Sequence, residues 1–97
     1  MGLFKESLNM NLQYDFLIRL GFKYSNRSGA RGESGYTKTI NHNGNERLWV
    51  TVNPIERKLY LYNEWDFGGM LWDRCMDIPS EVLDSESDFI DWLDNQI

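Results

Sequence analysis

Four aspartates near the C-terminus, Asp84, Asp88, Asp91 and Asp94, recur at intervals of three and four. On a helix that spacing makes neighbours of them, with Cβ atoms about 5–6 Å apart. Like charges in such a row repel by roughly a few tenths of a kcal/mol per pair, and no Lys or Arg interrupts it. Asp94, towards the helix C-terminus, also opposes the helix dipole. A row that weakens its own helix and lacks a local counterion suits a basic partner. Because it resembles a line of phosphates, a basic groove built for nucleic acid would accept it. Two plainer roles compete: a solvated face, or docking against the chain's own basic residues.

Other chemistry finds less support. Asp84-Ser85-Glu86-Ser87-Asp88 alternates acids but lacks the Gly and the distal bidentate Glu of a calcium loop. One His, His42, and one Cys, Cys75, leave too few ligands for a zinc site without help from acids. A Cys–His nucleophile would need both to meet from unpromising places, His42 in a turn and Cys75 in an apolar setting. Gly29, Gly32 and Gly35 lead into a strand rather than a helix and lack the Lys-Ser or Lys-Thr ending of a phosphate loop. No catalytic, metal or cofactor residue is therefore expected, and the chain reads as a non-enzyme.

A second constellation is aromatic and basic. Trp49, Tyr60 and Tyr62, flanked by Arg47 and Lys58, resemble a stacking platform for single-stranded nucleic acid. Arg27 and Arg31, in the Gly-rich loop, would extend it. Against that reading stand an acidic pI of about 4.7 and the alternative of plain cross-strand aromatic packing under a second layer.

Charge is sorted along the chain. Residues 1–63 hold nine Lys/Arg against five Asp/Glu, a net of +4, and residues 64–97 hold one against ten, a net of −9. The overall −5 conceals this division, which bears on partners and salt dependence rather than on fold.

The elements that must position these residues follow from pattern. Leu12, Phe16 and Leu20, widened by Leu17, predict a helix over about 10–20, with Asn9 or Asn11 as cap and Gly21 as its left-handed stop. Residues 25–35 form a basic, Gly-rich loop with nothing large to bury. A three-stranded antiparallel meander is expected over about 36–64: Tyr36–Ile40, Arg47–Val52 and Lys58–Tyr62, with turns at Asn43-Gly44 and Asn53-Pro54. Leu48, Val50, Val52, Leu59 and Leu61 share the face that should meet the helix. The apolar run from Trp65 to Trp72 reads as a loop packed on the core. Pro79 opens a helical turn, and Ser85 caps a last helix with Asp88 three residues on; the acidic helical segment spans about 79–97. There Phe89, Ile90, Leu93 and Ile97 form the apolar side, with Trp92 at the border.

The expectation is thus a single α+β domain of 97 residues, with a helix, a three-stranded meander and short C-terminal helices. A lone Cys, no signal-like start and no apolar run of membrane length point to a soluble protein of the cytoplasm. In size, acidity and element order the chain resembles the small inhibitors that phages and bacteria direct against nucleic-acid enzymes, such as anti-CRISPR proteins and nuclease immunity proteins. The resemblance rests on the whole chain rather than on a motif. It implies an acidic nucleic-acid mimic that inhibits a basic, nucleic-acid-handling enzyme by occupying its site. Asp84, Glu86, Asp88, Asp91 and Asp94 would supply charge, with Asp73 and Asp77 as additions, and Trp92, with Trp72, would anchor the contact. The alternatives are a single-stranded nucleic-acid module using the aromatic-basic face, and a structural or oligomerisation domain, for instance a homodimer.

Overall fold

The structure, a computed structural model, describes residues 14–27 and 29–97. Asn9, Asn11 and Leu12, on which the first part of the N-terminal helix prediction rests, lie outside them. The described residues form helix α1 (Asp15–Arg19), strands β1 (Lys23–Ser25), β2 (Gly35–Asn43), β3 (Glu46–Asn53), β4 (Lys58–Trp65) and β5 (Met70–Asp77), a 3-10 turn (Ser80–Asp84) and helix α2 (Glu86–Gln96). The class is α+β. The five strands form one antiparallel sheet in sequence order, β1 to β5.

The expected meander is its centre, with registers such as Thr51↔Tyr60 and Val52↔Leu59. Two edge strands were not foreseen. β1 is three residues long, exposed throughout and set against a Ser/Gly-rich tract, so neither alternation nor hydrophobicity marks it. The segment read as a packed loop ending at Trp72 instead completes β4, turns at 66–69 and enters β5, which lies along the edge rather than on the core. A register shift between Asn63 and Glu64 accommodates Leu71 and breaks the period-two signal at that point.

α1 stops as its sequence predicts. Gly21 has φ +98°, and the N–H groups of Gly21 and Phe22 donate to the carbonyls of Ile18 and Leu17, both at 3.0 Å, the double bond of a Schellman stop. Phe22 is then carried into the core. At the other end, Ser85 Oγ accepts from the Asp88 N–H at 3.4 Å and starts α2.

The helices cover one face of the sheet. Phe16 and Leu17 of α1 and Phe89 and Leu93 of α2 meet Val50, Val52, Leu59 and Leu61, with Leu48 packed alongside. Phe16 and Phe22 both stand edge-on to Phe89, at 5.6 and 6.4 Å between ring centroids. This is the face that alternation assigned to the core. Among the described residues no helix is long and apolar enough to cross a membrane.

Candidate partner-binding surface

The opposite face of the sheet is roofed by the Gly-rich loop. Tyr62 donates its hydroxyl proton to the Glu33 carboxylate, and the loop is tied within itself by the Gly29 N–H to the Glu33 carbonyl at 2.9 Å. A Cβ on Gly29 would come within 2.8 Å of the Tyr62 hydroxyl and 2.5 Å of the Glu33 carboxylate, so only glycine lets the loop lie this close. Burial, reinforced by the Glu33 carboxylate, holds the Tyr62 phenol well above its ordinary pKa. Trp49 and Tyr62 are only 8% and 1% exposed, pack on each other at 4.3 Å between centroids, and offer no open ring face. Tyr60 lies parallel to Tyr62 at 6.5 Å. The aromatic-basic constellation is cross-strand packing beneath a second layer, and the layer is the loop that was to extend it.

Its cations are also engaged. Arg31 pairs with Asp73 at 2.8 Å, Arg47 with Glu64, and Lys58 with Asp77. The last pair holds the Lys58 ammonium above and the Asp77 carboxyl below their usual pKa ranges. Arg27 has no acidic partner among the described residues; its backbone N–H donates to Ser25 Oγ.

Across the described residues, four of the five Lys/Arg–carboxylate pairs join residues 1–63 to residues 64–97: Arg19–Glu86, Arg31–Asp73, Arg47–Glu64 and Lys58–Asp77, against the local Arg19–Asp15; the His42–Asp66 contact spans the same divide. The charge sorting read from sequence is therefore in large part an internal complementarity. It divides the expected acidic set. Asp73, Asp77 and Glu86 serve the chain's own cations, whereas Asp84, Asp88, Asp91 and Asp94, joined by Glu81 from outside that set, are exposed and pair with none of the described cations.

These remaining acids lie on the 3-10 turn and α2. Asp88, Asp91 and Asp94, three residues apart, fall within about a third of the helix circumference, away from the side on which Phe89 and Leu93 enter the core. Trp92 is half-buried against that core, 6.4 Å from Phe89 between ring centroids, so it borders the row as expected. Trp72 lies away from the row on edge strand β5, under the Arg74 guanidinium at 4.8 Å.

Sequence reasoning did not find the His42–Asp66 contact of 2.7 Å, which joins the end of β2 to the β4–β5 turn and is accompanied by the Asp66 N–H donating to the Asn45 carbonyl at 2.8 Å. His42, expected in the turn, lies instead on β2 opposite Arg47, because the strand runs on to Asn43; it is exposed there. Cys75 is exposed on β5 and unbonded to sulfur. Among the described residues no three His, Cys, Asp or Glu side chains group in a way that would hold a metal ion. Compared with family models, curated proteins and solved structures, the chain matches none.

Proposed function

We propose that the chain is a non-enzymatic, acidic protein-binding module that occupies a basic, nucleic-acid-handling site on another protein and so inhibits it. The observation that supports this is the split among its acids. Glu64, Asp73, Asp77 and Glu86 each pair with a Lys or Arg from the first two-thirds of the chain and Asp66 contacts His42, while Glu81, Asp84, Asp88, Asp91 and Asp94 stand exposed without a described partner cation. A solvated face needs charge, but it does not need five acids with no Lys or Arg after Arg74. The row costs helix stability through like-charge repulsion, and a basic groove would repay that cost on binding. Electrostatic complementarity of this kind makes association fast and salt-sensitive.

The test is competition. A partner captured from the host at graded salt should release labelled DNA or RNA when the protein is added. Reversal of Asp88 and Asp91 together to Lys should weaken that displacement more than about tenfold, in keeping with losses seen when interfacial charge pairs are broken. Displacement of equal potency by the doubly reversed protein would overturn the proposal. The chain itself should bind no labelled single strand at low salt.

A further inference from the structure

Three tyrosines line one cleft: Tyr36 from the edge of the core, Tyr14 packed against it, and exposed Tyr24. Tyr14 precedes α1, Tyr24 lies on β1 and Tyr36 on β2, and they bound a cleft of about 460 Å³ that Pro54, Ile55 and Glu56 of the β3–β4 turn complete. That volume falls within the range of roughly 300–1,000 Å³ typical of ligand sites. The Tyr24 and Tyr36 rings meet edge to face, 5.1 Å apart and inclined by 61°, so they form a corner rather than a stack. Tyr24 is 57% and Ile55 74% exposed, so both can meet a ligand without rearrangement of the core.

The lining has one electrostatic character. Tyrosine ring faces are negative and attract cations. Among the described residues no Lys or Arg lines the cleft, and the described Arg nearest in sequence, Arg57, contributes to the field at Asp77. Glu56 lines it, and its carboxylate pairs with no described cation. Tyr36 keeps its proton to higher pH than usual because of burial, then the nearby Tyr24, Asp15 and Tyr14.

We infer that this cleft receives the guanidinium of an arginine side chain presented by a partner protein. A guanidinium stacks flat on one tyrosine ring while its N–H edge remains free to donate to a carboxylate; a lysine ammonium, a strongly hydrated point charge, does the second only. The source of the arginine rests on the proposed function, since a basic partner supplies it. The chemistry of the cleft does not, and is tested without the partner.

The experiment is an NMR titration of the full ¹⁵N-labelled chain with Nα-acetyl-arginine amide, compared with its neutral isostere Nα-acetyl-citrulline amide, the lysine analogue and a triproline peptide. Arginine should give saturable shifts at the Gly35, Tyr36, Ile55 and Glu56 amides and bind more tightly than the other three. Tyr24→Leu and Glu56→Gln, both at exposed side chains, should each weaken it by about two- to fivefold, the range of an exposed cation–π contact. Absence of saturable shifts, equal binding of citrulline, tighter binding of lysine or triproline, or unchanged affinity in Tyr24→Leu would each overturn the inference. The protein with Asp88 and Asp91 reversed to Lys should keep the arginine response. Failure of the parent chain to bind arginine amide while it still displaces nucleic acid from the partner would overturn the cleft alone, and saturable arginine binding by a chain whose doubly reversed form displaces with equal potency would overturn the proposed function alone.

Discussion

Tyr62 shows how one side chain decides what a whole face can do. Its ring lies under Trp49 and Tyr60 and its hydroxyl donates to Glu33, so the loop that contains Arg27 and Arg31 is drawn down over the sheet. Tyr62→Phe keeps the ring and removes the donor. A hydrogen bond to a charged group is worth about 1.5–3 kcal/mol, and urea unfolding of Tyr62→Phe should show a loss of that size. Tyr60→Phe, whose hydroxyl makes no comparable bond, should stay within about 0.5 kcal/mol of the parent. Amide exchange in residues 29–33 should quicken in the first variant only. The sequence allowed packing under a second layer as one alternative but did not identify that layer. Alternation placed Trp49, Tyr60 and Tyr62 together on one face, but it could not say whether water or chain lay above them. The clue was Gly29, which reads as loop flexibility and serves instead to let two groups come close.

At the scale of elements, α2 sets stability against association. Its first turn is well made: Ser85 caps it and Glu86 and Asp88 favour the positive end of the dipole. Ser85→Ala should cost about 1 kcal/mol, read by thermal unfolding. Asp94 is placed badly for the helix, near the negative end and three residues from Asp91. Asp94→Lys should therefore stabilise the fold by roughly a few tenths of a kcal/mol while weakening partner displacement. A solvated face with no partner would show the first effect without the second. The helix, its cap and its apolar side were readable because each is local: a cap is three residues from the N–H that donates to it, and Phe89 and Leu93 are one turn apart. The three central strands were readable for the same reason. β1 and β5 were not, because an edge strand is half-packed and so keeps only half of the hydrophobic alternation. In β5 the displaced residue Leu71 disturbs even that. Ion pairs are the extreme case: Arg19 and Glu86 are 67 residues apart, and composition can announce that opposite charges exist without saying which of them meet.

For the molecule as a whole, the titration behaviour follows from its tyrosines. Tyr36, Tyr60 and Tyr62 are all held above the ordinary phenol pKa, chiefly by burial. Once unfolded they release protons near pH 10. Above that value the unfolded chain binds fewer protons than the folded one, so stability falls as pH rises. The Lys58–Asp77 pair acts in the same alkaline direction through Lys58, whose contribution is present below its unfolded pKa and lost through its raised folded value. Through Asp77 the pair contributes above the unfolded carboxyl pKa and is lost as pH falls through the depressed one. Being exposed, it adds little either way. Absorbance of tyrosinate followed with pH should therefore show a late, cooperative step that coincides with loss of tryptophan fluorescence. Independent, non-cooperative ionisation of all five tyrosines near pH 10 with the fold intact would contradict this account.

The order of the strands has a kinetic consequence. Each strand pairs with its neighbour in the chain and no connection crosses the sheet, so strand pairing requires only short loop closures, the condition for a rapid search. Arg47–Glu64 and Lys58–Asp77 are register partners across these hairpins and close as the strands zip, whereas Arg31–Asp73 and Arg19–Glu86 obey no such locality. During refolding the hairpins can form with their own counterions in place, and Arg19–Glu86 closes only when α2 docks. Added salt would then leave the first stage little changed and slow the last, where distant opposite charges must find each other.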